Sequence, residues 1–255
     1  MRASGRLPAL VERYLKRALP PARPSAPQVL ITQTGEMFRR PGARALRFTA
    51  TERFAVDRVA FCWEARFPIA PLLSLKVLDG YAHGGGILEV RTLGLPVQSR
   101  SGREVDVGEA YRYLAELPWV PSAMAANHEL DWRPIDERTI EVATVVGDER
   151  PTVWIEFDHG GDIVRCFADA RPRAVDGGSV PTRWGGQFGD YRTLGGVWMP
   201  TRGEVHWELP EGRFVYWRGE ITSAQALEQP FRKPERHRGK PAVRRRIRHA
   251  STTGG

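Results

Sequence analysis

VAFCWEARF, residues 59–67, alternates with a period of two: Val59, Phe61, Trp63 and Ala65 fall on one side, Ala60, Cys62, Glu64 and Arg66 on the other. Successive side chains of a strand point to opposite faces, so this stretch reads as a β-strand with one face against a core. Outward from it the same period recurs in QVLITQTG (28–35), RALRFTAT (44–51), LLSLKVLDGYA (72–82) and ILEVRTLGL (87–95). It resumes in ELDWRPI (129–135), RTIEVATVVG (138–147), TVWIEFD (152–158), DIVRCFADA (162–170), FGDYRTLGG (188–196), GEVHWEL (203–209) and RFVYWRGEI (213–221). Gly-rich turns separate many of them, with His159-Gly160-Gly161 and Glu211-Gly212 the clearest hairpin signals. Short strands without a βαβ rhythm predict a mainly β (α+β) fold, a single curved antiparallel sheet forming an open barrel.

Two segments break the pattern. Leu7, Leu10, Val11, Tyr14, Leu15, Ala18 and Leu19 recur at spacings of three and four, with charges between them. They predict an amphipathic N-terminal helix that docks on the domain, a helix lying on a membrane surface being the alternative. Pro20-Pro21 stops it, and residues 1–27 form a helix plus Pro-rich connector ahead of a β domain over 28–228. Near 106–126, Val107, Ala110, Tyr111, Leu114 and Leu117 predict a central helix capping the concave face, with Asp106 as N-cap and Glu109 as its capping-box partner.

The net charge of +8 resides in the C-terminal segment. Residues 229–255 carry nine Lys or Arg against Glu235 alone, 9 − 1 = +8, so residues 1–228 are formally neutral. A disordered basic tail is predicted there, with Arg244-Arg245-Arg246 its densest cluster. Contact of this tail with nucleic acid or an anionic membrane is one functional alternative. The N-terminus has charges spread through it and no uninterrupted apolar core, which gives the expectation of a cytoplasmic protein. Cys62 and Cys166 stand in apolar strand patterns without metal-ligand spacing and read as buried free thiols.

LPALVERYLKRAL (7–19), GEAYRYLAELPWVPSAM (108–124), GDYRTLGGVWMPTRGEVHWEL (189–209) and GRFVYWRGEI (212–221) resemble an uncharacterised bacterial family of unknown function. LPWVPSAM and the YRTLGG…MPTRGEV…W pattern are the more specific parts, and the family carries no activity from which a residue role can be transferred. More loosely, the order helix, strands, helix, strands is similar to bacterial lipoprotein carriers. That likeness implies an open half-barrel lidded by helices over an apolar cavity.

The chain lacks GxSxG, GxxxxGK[ST] and HExxH. His83-Gly84-Gly85-Gly86 joins two strands and reads as a hairpin rather than a phosphate cradle. Its six histidines include no pair at metal-clip spacing, so neither a metal nor a cofactor is expected. Glu204, His206 and Glu208 share one strand face; they can coordinate or move protons, or form a solvated face opposite Val205, Trp207 and Leu209. An enzyme with such a dispersed polar site is the second alternative. Eight Trp is the least ordinary count, and aromatic residues on a curved sheet line a cavity as readily as they fill a core. The leading expectation is therefore a non-catalytic domain holding an apolar small molecule or lipid. Trp63, Tyr81, Trp119 and Trp132 are its candidate lining residues, with Arg66 and Asp79 as polar groups that orient the ligand.

Overall fold

The computed structural model describes residues 7–21, 26–176 and 178–233. Thirteen strands make one antiparallel sheet. The first half supplies β1 (Gln28–Met37), β2 (Leu46–Ala55), β3 (Phe61–Ala70), β4 (Leu73–Ala82), β5 (Gly85–Thr92) and β6 (Leu95–Arg100). The second supplies β7 (Asp131–Pro134), β8 (Thr139–Ala143), β9 (Thr152–Phe157), β10 (Ile163–Val175), β11 (Gly178–Leu194), β12 (Val197–Leu209) and β13 (Gly212–Leu227). Their spatial order is β6-β5-β4-β3-β2-β1-β13-β12-β11-β10-β9-β8-β7, so each half is a meander and the halves join where β1 pairs with β13. The edges β6 and β7 are consecutive in sequence but lie at opposite ends of that order. The chain links them through α2 (Arg103–Glu116), a 3-10 turn (Leu117–Trp119) and α3 (Pro121–Ala126). This connection crosses the inner face, where α2 packs on β5, β9 and β10.

The N-terminal helix α1 (Ala9–Ala18) buries Val11, Tyr14, Leu15 and Ala18 against α3 and β12. Its apolar stripe is thus consumed by the fold, as a docking helix requires. Tyr14 donates to the Pro118 carbonyl, and Arg17 pairs with Asp162. Among the described residues no helix is long and apolar enough to cross a membrane.

Three local expectations are corrected. ILEVRTLGL is not one strand: Leu93 and Gly94 both take positive φ (49° and 80°), the requirement of a tight hairpin turn between β5 and β6. His83-Gly84 makes the same kind of turn between β4 and β5, as expected. The strand read from Phe188 onward begins ten residues earlier, at Gly178, because Pro181, Gly185 and Gly186 look like turn residues yet sit in a paired ladder. Finally, Asp106 is not the N-cap of α2. Gly102, at φ 112°, precedes the helix without a side-chain cap, and Asp106 instead accepts the Gly86 N–H of β5 at 2.6 Å. A tertiary donor outcompetes the local one, and Glu109 turns inward.

Gly35, Gly219 and Gly203 are in register on β1, β13 and β12. A Cβ there would stand 2.7 Å from the Phe48 ring, 2.4 Å from Trp217 and 2.9 Å from Trp119, respectively. The bare backbone of three adjacent strands therefore admits three aromatic rings, a close approach that only glycine allows. On the outer face a small second cluster joins Ala55, Ala60, Cys62, Ala82 and Phe231. Phe231 lies within the segment expected to be tail; residues beyond Lys233 are outside the described residues.

Gly203→Val should lower stability by about 1–3 kcal/mol through overpacking against Trp119. Gly108→Ala, inside α2 with open space where its Cβ would go, should raise it by about 0.5–1 kcal/mol. Urea unfolding followed by circular dichroism measures both.

Candidate functional site

A cavity of about 670 Å³ lies between the inner face of the sheet and α2. Leu75, Val77, Leu88, Val90 and Val97 of β4–β6 form one wall. Trp63, Trp119, Trp184, Trp207 and Trp217 stand round it, so five of the eight Trp face this one space. The rings pack on each other: Trp119 and Trp217 are 5.7 Å apart between centroids, Trp207 stacks on Tyr216 at 5.9 Å, and Trp184 donates to the Tyr216 hydroxyl at 3.0 Å. Val97, 58% exposed, and Arg39 mark its open end. The hairpin tips beside it expose Leu72, Leu93 and Leu95 to solvent.

The polar end is built by α2. Glu109, Arg112 and Glu116 lie at i, i+3 and i+7 and so share one helix face. Arg112 donates to Glu52 of β2 (2.8 Å), Asp79 of β4 (2.7 Å) and Glu116 (2.8 Å), and sits over the Phe61 and Trp63 rings at 4.8 and 5.1 Å. Gln33 donates to the other oxygen of Glu52 at 2.7 Å and accepts from Trp63 Nε1 at 2.9 Å. Arg171 of β10 lies over Trp184 at 4.3 Å and donates to the Gly108 carbonyl and the Tyr216 hydroxyl.

Four carboxyls (Glu52, Asp79, Glu109, Glu116) thus face two guanidiniums, 2 − 4 = −2 if all are ionised. Burial, aided by Glu116, pushes the Glu52 carboxyl well above the usual range. Burial, aided by Asp79, does the same to Glu109. Burial opposes the charge of Arg112, but Glu116, Glu52 and Asp79 more than offset it and hold the guanidinium above its ordinary value. Asp79 Oδ1, Glu109 Oε2, Glu116 Oε2 and Trp119 Nε1 have no hydrogen-bond partner. Among the described residues no cluster of His, Cys, Asp or Glu has the arrangement to hold a metal ion.

Of the residues singled out from sequence, Trp63, Asp79 and Trp119 line the cavity. Arg66 does not: it occupies the outer face between the inward Ala65 and Phe67 and donates to Ser74 at 3.2 Å. Tyr81 shares the face of Asp79 but sits deeper, 4% exposed beside Phe61, where burial pushes its hydroxyl up to about 12. Trp132 is half-buried on the edge strand β7, away from the cavity. The trio on β12 stays on one face, with His206 paired to Glu208. His206 is buried rather than solvated, its Nε2 lies 3.2 Å from Glu208, and burial lowers its pKa, whereas Glu204 is turned to Arg218 at 3.4 Å. Cys62 and Cys166 are free and buried, and burial pushes the Cys166 thiol up to about 12. Glu52, Glu109, Arg112, Glu116 and Arg171 escape the sequence reading. The 109/112/116 spacing was their only local trace, and such a stripe ordinarily faces water.

Residues 2–219 match a family defined by sequence as DUF6544. The chain belongs to this family of unknown function. No curated protein matches it. Among solved structures this DUF6544 chain is similar to a LolA superfamily protein from Nitrosomonas europaea, at 11% identity and a TM-score of 0.45, over 87% of this chain and 94% of that one. It is also similar to a DUF1329 family protein from Desulfovibrio piger, at 12% identity and a TM-score of 0.46, over 85% of this chain and 90% of that one.

Arg112→Met should cost about 3–5 kcal/mol at pH 7, because it leaves buried carboxylates uncompensated. Glu109 holds its proton more tightly folded than unfolded, so its contribution falls as pH rises above the unfolded value of about 4.3. Glu109→Gln should therefore match the parent near pH 4 and exceed it in stability at pH 7, measured as urea midpoints across that range.

Proposed function

We propose that this DUF6544 chain is a binding protein that holds an apolar small molecule or lipid chain between its sheet and α2. The observation that carries this reading is the roughly 670 Å³ space walled by aliphatic side chains of β4–β6 and by five Trp. That volume lies in the range of pockets that enclose small ligands, about 300–1,000 Å³. Aromatic and aliphatic walls favour removal of hydrocarbon from water at roughly 25 cal/mol per Å². The space opens at the hairpin end, so a chain can enter without unfolding the sheet.

The Trp walls supply the assay. A fatty acyl chain brominated along its length should quench tryptophan fluorescence saturably, with one chain per protein. Val90→Trp, which fills the aliphatic wall, should weaken this uptake at least tenfold while the circular dichroism spectrum stays that of the parent. Absence of saturable quenching in the parent, or equal quenching in the filled variant, contradicts the reading.

A further inference from the structure

The cavity ends in a polar cluster in which two guanidiniums face four carboxyls, so its charges balance only while carboxyls such as Glu52 and Glu109 keep their protons. Arg112 and Arg171 face Glu52, Asp79, Glu109 and Glu116. Arg112 has three carboxylate partners, and the polar hydrogen bonds of Arg171 go to a backbone carbonyl and a tyrosine hydroxyl instead. Glu109 is only 8% exposed, lines the cavity, and keeps Oε2 without a hydrogen-bond donor. Asp79, on the strand opposite, keeps Oδ1 in the same condition. Buried acceptors left unmatched inside a protein are rare, and each calls for a donor. These two orphans belong to different elements, α2 and β4, and both line the same apolar space.

Building on the binding reading above, we propose that the ligand is an amphiphile with a protonated primary amine, its hydrocarbon against β4–β6 and its ammonium between Glu109 and Asp79. An ammonium offers three donors and no acceptor, the complement of two carboxylate oxygens lacking donors. Its single charge can take the place of the proton that Glu109 holds, whereas a carboxylate or phosphate head would add a further negative charge beside four carboxyls. A quaternary ammonium balances charge but donates nothing. The surrounding indole and phenol rings favour a cation as well.

Without a ligand, protons fill the same role. The groups facing Glu109 are Asp79 from β4, Arg171 from β10, and Arg112 and Glu116 from α2, and burial among them favours its neutral form. Seating an ammonium beside Glu109 ionises it, so one ammonium enters and up to one proton leaves to the buffer.

The test compares three chains of equal length on the full chain at pH 7.5, below their aggregation concentrations: dodecylamine, dodecanol and lauric acid. Titration calorimetry should give dodecylamine at least tenfold tighter binding than dodecanol, with lauric acid the weakest. Repeating the amine titration in buffers of different ionisation enthalpy should show proton release. Glu109→Gln and Asp79→Asn should each shrink the amine-to-alcohol ratio below threefold, a ratio that general loss of packing does not alter, and E109Q should also abolish the proton release. Equal affinity for amine and alcohol, a preference for laurate, or a ratio unchanged in both variants overturns the amine assignment while leaving the apolar reading in place. Failure of all three chains to bind overturns both.

Discussion

Arg112 ties the central helix to the sheet through carboxylates on two separate strands, Glu52 of β2 and Asp79 of β4, and the polar end of the cavity is arranged around that contact. The helix must be on the inner face in any case. Its chain leaves β6 at one edge and re-enters at β7 on the other, and crossing the curved sheet is the short route. What Arg112 decides is where along the crossing the helix sits. It is set over Phe61 and Trp63, with the remaining length of β4, β5 and β6 left uncovered toward the hairpin ends. A buried ion network adds little net stability compared with apolar packing of the same volume, so its contribution is to placement.

The aromatic walls depend on a second constraint. Trp119 and Trp217 can lie against the centre of the sheet only because Gly203 and Gly219 present no side chain there. Gly35 makes the same allowance for Phe48 on the adjoining strand. The glycines weaken three strands intrinsically, and the rings that cover them restore contact. Together the ion network and the glycine row place the helix and the Trp rings that line the space between it and the sheet.

The architecture was largely legible in the sequence because strand alternation is a local signal. Phe61, Trp63, Ala65 and Phe67 all point inward, and Glu64 and Arg66 outward, as the period of two requires. The amphipathic spacing of α1 was equally local. The misplacements arose where a distant partner decided the matter. Asp106 looks like a cap until Gly86 arrives from another strand, and the long β11 hides behind glycines and a proline that its neighbours accommodate. The site was half legible for the same reason. Trp63, Asp79 and Trp119 could be picked by residue type, whereas Glu109, Arg112 and Glu116 resemble a solvated stripe, and nothing local reveals that Glu52 and Asp79 await them.

A ligand held in the space beside α2 should stay with the protein through purification. Native mass spectrometry of the freshly purified chain, followed by denaturation and extraction of whatever is released, reads this out. An adduct of one apolar molecule per chain at near-stoichiometric occupancy, released on denaturation, is the expected result. A chain of bare polypeptide mass that also takes up no added alkyl chain would mean that the space holds no ligand.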